Sequence, residues 1–373
     1  MNGSRKLLLS LCCLFVLLLL FLNVSGPVSQ NEQAPLPPPE PTEAVSELPA
    51  PQSPPPPAPS PEPTEPPGPC SHPRHDPDTL LCCDCGEPVT HRYVNGSCSG
   101  CGKALDLYET LLPESFYLPV PEEQRGTVET CFFPCLGYSM RALVYLPCHY
   151  GEDETQRYNV FILLPTLNGT SETCMTAPFY VPGRTCSMQT VYDNLFLSGK
   201  CRPCIIVSLG FVDAFEPVEE LLREEVLPYL SENYLTYAED SSPEALRAAR
   251  NHLAIGGVSN GALQTCYSGL ERMVDVCANF ALLSGSFRQT QILEALNGSF
   301  AGEEIDMLFI SCGENDSWAM KSSVPLYESL SEQVEGLAAG ENLVLHTIPG
   351  LEHAWTAFHL EIFDALRICF PNT

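Results

Sequence analysis

Ser259 stands between glycines in Gly257-Val258-Ser259-Asn260-Gly261, after the apolar run Leu253-Ala254-Ile255-Gly256 and before the helix-compatible run Ala262-Leu263-Gln264-Thr265-Cys266-Tyr267. A strand, a tight turn and a helix around G-x-S-x-G form a nucleophile elbow. Side chains flanking the serine would collide with the strand or the helix, so glycine occupies both places. The turn lifts the hydroxyl to the rim of a sheet, which makes Ser259 the candidate nucleophile. In this arrangement an acid and a histidine follow the serine in that order. Met307-Leu308-Phe309-Ile310-Ser311-Cys312 reads as a strand, and Gly313-Glu314-Asn315-Asp316 as the turn that ends it. Asp316 is the expected acid, with Glu314 close enough to compete. Pro349-Gly350-Leu351-Glu352-His353-Ala354-Trp355 follows the last expected strand and puts His353 where the general base belongs. The chemistry of such a trio is acyl transfer through a covalent intermediate, which needs no cofactor.

The other histidines fit less well. His346 falls inside an expected strand, His252 enters one, His149 follows one too early, and His359 lies in an expected terminal helix. The two tryptophans of the chain, Trp318 and Trp355, each lie two residues beyond a member of the trio. Their flat faces suit sugar or phenolic rings, so both are candidates for lining a substrate groove.

These residues need a scaffold. Expected strands run over Ala142-Leu146, Val160-Leu164, Cys204-Leu209, Leu253-Ile255, Asn279-Leu283, Met307-Cys312 and Leu343-Ile348. Amphipathic stretches lie between them, among them Val218-Tyr234 and Pro325-Leu337. Strands alternating with helices predict an α/β fold: a mainly parallel sheet covered on both faces, with the site at the carboxyl ends of the strands.

Several segments together resemble a known family. They are Tyr158-Asn159-Val160-Phe161-Ile162-Leu163-Leu164, Ile205-Ile206-Val207-Ser208, Leu222 to Leu230, Tyr234 to Glu239, Ala254 to Gly261, Leu283-Ser284-Gly285-Ser286 and Glu352-His353-Ala354-Trp355. In order and spacing they resemble the α/β-hydrolase esterases that include bacterial feruloyl and acetylxylan esterases and esterase D. The resemblance spans roughly residues 140 to 370. It implies Ser259 as nucleophile, Asp316 as acid, His353 as base, and an ester substrate on plant cell-wall polysaccharide. The chain departs from the family at Pro165-Thr166-Leu167-Asn168-Gly169, where His-Gly-Gly-Gly is usual. There the amide of Thr166 or Leu167 would join that of Asn260 in holding the oxyanion. Loss of one such donor typically lowers the rate about 100- to 1000-fold. Two further readings share these residues: a surface binding protein on a weakened hydrolase scaffold, and an acyltransferase to a sugar.

The rest of the 373 residues frames this domain, expected over 104–373. In residues 1–26, Arg5-Lys6 precede an apolar run from Leu7 to Leu22 and then small residues, the pattern of an export signal or a retained membrane anchor. The run continues past Cys12 and Cys13, which disfavours lipid attachment there. Residues 27–69 are rich in Pro, Glu, Ser, Ala and Thr and cannot build a core. As polyproline II at about 3.1 Å per residue the stretch reaches about 130 Å, a spacer that holds a catalytic unit off a membrane or through a cell wall. An extracellular or cell-surface location follows.

Residues 70–103 hold a sixteen-residue repeat in which His75 precedes Cys82-x-x-Cys85-Gly86 and His91 precedes Cys98-x-x-Cys101-Gly102. Two such knuckles fit a zinc ribbon with Cys82, Cys85, Cys98 and Cys101 as a closed structural set. A disulfide-stapled knot is the alternative. Eleven of the nineteen cysteines fall in the large domain. Several sit beside expected strands, where a thiol serves as a small apolar side chain, so mostly reduced cysteines are expected. Cys201-Arg202-Pro203-Cys204 remains open as a local disulfide or redox pair. The formal charge of −28 argues against nucleic acid or anionic membrane surface as a partner.

Overall fold

The computed structural model describes residues 111–135, 137–210 and 218–372, together with the backbone of Tyr138 and of residues 93–94 and 97–98. The expected signal or anchor, the proline-rich spacer and the zinc ligands Cys82, Cys85 and Cys101 lie outside the described residues. Cys98 is described by its backbone alone. The short strands β1 (Tyr93–Val94) and β2 (Ser97–Cys98) pair antiparallel, with Tyr93 opposite Cys98. Among the described residues no helix is long and apolar enough to cross a membrane.

The large sheet has eight strands: β3 (Thr127–Cys135), β4 (Tyr138–Leu146), β5 (Asn159–Leu164), β8 (Cys204–Ser208), β9 (Leu253–Val258), β10 (Asn279–Leu283), β11 (Met307–Gly313) and β12 (Leu343–Ile348). Between β5 and β8 a small hairpin forms from β6 (Phe179–Val181) and β7 (Arg184–Cys186). Across the sheet the order is β12-β11-β10-β9-β5-β8-β4-β3. The first six are parallel, and β4 and β3 are added antiparallel at one edge.

The central strands are short apolar runs because both faces are covered. Along β5, Val160, Ile162 and Leu164 enter one core, and Phe161 and Leu163 enter the other. The helices are α1 (Met188–Leu197), α2 (Glu219–Leu221), α3 (Leu227–Asn233), α4 (Pro243–Ala248), α5 (Asn260–Gln264), α6 (Gln289–Asn297), α7 (Ser317–Gln333) and α8 (Trp355–Cys369). α1 and α8 supply one core, while α2, α3, α6 and α7 supply the other. Twelve of the fifteen residues of α8 are buried, including Glu361 and Asp364.

Elements that differ from expectation include the β6–β7 hairpin, β3, α7 and the helical path through α2 and α3. β3 was not expected, because its inward residues Cys131, Phe133 and Cys135 alternate with exposed Phe132 and Pro134. Proline is tolerated there because β3 is an edge strand with one neighbour. α7 begins at Ser317 rather than Pro325, which lies inside the helix. The side chain of Asp316 caps its first turn, a stronger start signal than the proline. Glu219 to Asn233 is one helical path, as expected, but it passes through a π-helical turn at Leu222–Val226. Cys201 and Cys204 are both fully buried free thiols rather than a disulfide, and burial pushes the Cys204 thiol up.

Candidate active site

Ser259 links β9 to α5 with φ +56° and ψ −109°, a strained conformation for a residue with a side chain. Backbone bonds hold the turn. The Ser259 N–H donates to the Leu283 carbonyl (2.8 Å), and the Ser259 carbonyl accepts from Ala262 (3.1 Å) and Leu263 (3.3 Å). The flanking glycines are sterically required. A Cβ on Gly261 would overlap the Leu164 carbonyl, and one on Gly257 would overlap the backbone of Gly261. The helix behind the elbow widens into a π turn at Thr265–Leu270.

Asp316 and His353 follow β11 and β12, so all three residues of the trio leave the carboxyl ends of parallel strands. The structure brings them together. Ser259 Oγ lies 2.9 Å from His353 Nε2, and His353 Nδ1 lies 2.6 Å from Asp316 Oδ2. Asp316 is 2% exposed, and its other oxygen accepts from the N–H groups of Trp318 (3.2 Å) and Ala319 (3.0 Å). With Oδ1 held by two backbone donors, Oδ2 faces the imidazole in one orientation. Glu314 sits elsewhere: its Oε2 accepts the Gly350 N–H at 3.1 Å. The Asn315 N–H donates to the Leu351 carbonyl at 2.8 Å, so the acid turn and the histidine loop are stitched together.

The expected oxyanion loop also reaches the site. A tight turn closes from the Gly169 N–H to the Thr166 carbonyl (2.8 Å) through Asn168 at φ +57°. This loop leaves β5 where Leu164 packs against Gly261, immediately after Asn260. Leu167 is 53% exposed. The two tryptophans take different places. Trp318, 44% exposed, meets the His353 ring edge-on at 5.1 Å between centroids. Trp355 packs against Phe358 (5.4 Å) and His359 (5.2 Å). Sequence reasoning missed Phe358, whose ring meets His353 from another side at 4.9 Å. It also missed Phe179 of the β6–β7 hairpin, which stacks on His359 at 3.9 Å. Neither carries a motif, since both look like core aromatics. His346, His252, His149 and His359 lie in β12, ahead of β9, after β4 and within α8.

The arrangement of strands and connections matches solved structures. One titled FAE is 26% identical with a TM-score of 0.58, covering 70% of this chain and 95% of that one. The fold is that of the α/β-hydrolase esterases. A feruloyl esterase module from Clostridium thermocellum, solved as an S954A mutant with sinapinate, is 24% identical with a TM-score of 0.57, again over 70% and 95% of the two chains. The same esterase fold appears in a ferulic acid esterase from Anaeromyces mucronatus, with a TM-score of 0.53 at 17% identity over 70% and 96%. By sequence the chain is 27% identical over 274 residues to Endo-1,4-beta-xylanase Y of Acetivibrio thermocellus. It is 25% identical over 267 residues to an Endo-1,4-beta-xylanase/feruloyl esterase of Xylanibacter ruminicola. These matches take in 69% and 68% of this chain but only 24% and 33% of the curated relatives' own length. No family model matches the chain.

Proposed function

We propose that the chain is a serine esterase that hydrolyses carboxylic esters on plant cell-wall polysaccharide, with feruloyl or acetyl as the acyl group. The observation that carries this reading is the continuous hydrogen-bonded path from Ser259 through His353 to Asp316 at the ends of three parallel strands. In this mechanism His353 takes the Ser259 proton as the oxygen attacks the ester carbonyl. Amides of Asn260 and of Thr166 or Leu167 hold the oxyanion, and Asp316 orients the imidazole and stabilises its charge. His353 then protonates the leaving alcohol, and water releases the acid by the same steps in reverse. The polysaccharide substrate is supported by the xylanase and feruloyl esterase names of the relatives. Trp318, exposed beside His353, is the aromatic face offered to the acyl group or sugar.

Export and tethering belong to the same proposal, carried by the apolar run Leu7 to Leu22 and the proline-rich spacer. A structural zinc on Cys82, Cys85, Cys98 and Cys101 would hold the small module without entering the reaction. The test is turnover of acetyl, butyryl and feruloyl esters by the full chain beside S259A, with and without a sugar acceptor. Hydrolysis lost in S259A supports the esterase. No turnover by folded protein refutes it, and a glycosyl ester product in place of free acid assigns an acyltransferase.

A further inference from the structure

Glu361 is fully buried in the middle of α8, and no ion pair to it forms among the described residues. One carboxyl oxygen lies 2.8 Å from Ser284 Oγ, and the other has no hydrogen-bond partner among the described residues. The groups that act on it electrostatically are the carboxylates of Asp316, at the head of α7, and Asp364, on its own helix, with the Cys312 thiol on β11. Asp364 has its own partners: Arg367 at 3.0 Å, and the His346 ring at 3.6 Å from β12. A carboxyl group enclosed this way, with two carboxylates near it, keeps its proton. Burial drives its pKa well above the usual carboxylate range.

The Ser284 hydroxyl donates to this carboxyl, so Glu361 holds it as an acceptor. Ser284 is a non-glycine residue at φ +48°, a conformation that needs outside support. The peptide entering Ser284 carries the Leu283 carbonyl, which accepts the Ser259 N–H, and the Ser284 N–H donates to the Ser311 carbonyl at 2.7 Å. We infer that Glu361 is a positioning residue: its carboxyl oxygen, accepting from the Ser284 hydroxyl, holds Ser284 in the left-handed conformation and so fixes the carbonyl that seats the nucleophile. The inference rests on Ser259 being that nucleophile.

The test compares E361A, E361Q and S284A in the full chain, with active sites counted by stoichiometric release of nitrophenolate from a nitrophenyl organophosphate. In E361A, kcat per titrated site should fall about 10- to 100-fold with KM nearly unchanged, the scale of a misplaced reacting group. The side-chain oxygen of glutamine can accept the same bond from Ser284, so E361Q should recover kcat to within about threefold of the wild type. S284A should resemble E361A, and combining the two should add little further loss. Wild-type kcat in folded E361A, or E361Q as impaired as E361A, overturns the inference. If E361A does not fold, S284A and E361Q decide: wild-type kcat per titrated site in S284A, or E361Q as impaired as S284A, overturns it. Turnover or nitrophenolate release by S259A would instead overturn the assignment of the nucleophile.

Discussion

Replacing Asp316 with asparagine separates the two jobs of this side chain. Oδ1 caps α7 by accepting from Trp318 and Ala319, and Oδ2 holds His353 Nδ1 at 2.6 Å. In D316N the two backbone donors fix the amide, because turning its NH2 toward them would set donor against donor. Its oxygen therefore keeps the cap, and its NH2 faces His353 Nδ1. That forces the imidazole into the tautomer with the proton on Nε2, which cannot accept the Ser259 proton. The expected loss in kcat is about 10,000-fold, or about 5 kcal/mol in the barrier. Stability should change far less. The cap survives, and loss of a negative charge at the helix start costs about 0.3–1 kcal/mol, a fall in Tm of about 4 °C at most. D316A loses the cap as well, about 1 kcal/mol more. Hydrolysis of a nitrophenyl acetate, read beside thermal unfolding for both variants, checks this. Folded D316N retaining more than about one hundredth of wild-type kcat would refute the tautomer argument.

Three further outcomes are expected. G261A should lower kcat by about 100-fold or fail to accumulate as folded protein, because its Cβ would displace the end of β5 and the oxyanion loop after it; purified G261A with wild-type kinetics would contradict that contact. W318A should raise KM for a feruloyl ester by about tenfold and leave an acetyl ester within about twofold, since only the planar acyl group stacks on the exposed ring; equal effects on both esters would remove Trp318 from the groove. Burial pushes His359 down to about 4. Its folded pKa thus lies below the unfolded value of about 6.5. The stability it contributes is present above about pH 6.5 and is lost as pH falls through about 4, at most about 3 kcal/mol. H359F, which keeps a ring against Phe179, should flatten the fall in Tm between those pH values, and an unchanged slope would show that other groups set it.

Legibility of the fold from sequence followed the physics of each element. β10 was read to the residue because a buried strand in a parallel sheet is an apolar run with abrupt ends. β3 escaped because a one-sided edge strand dilutes that signal with Glu129, Thr130 and Pro134. Ser259, Asp316 and His353 were visible because each sits in a turn that only certain residues can make. Glu361 was not, because it lies in a helix with no turn or glycine to mark it. The one hint was an acid inside Phe358-His359-Leu360-Glu361-Ile362-Phe363, an otherwise apolar stretch of a helix buried nearly all round.

The close approach of Gly261 to Leu164 ties Ser259 and the loop after β5, proposed as nucleophile and oxyanion loop, into one block. The stitched turns around Glu314, Asn315 and Leu351 make the acid and the base a second block. What couples them at the reacting end is the Ser259–His353 hydrogen bond. Slippage of one block against the other therefore lengthens the first proton transfer before it disturbs either half. An ester too bulky for the cleft should wedge the halves apart and show itself as slow acylation after ordinary binding.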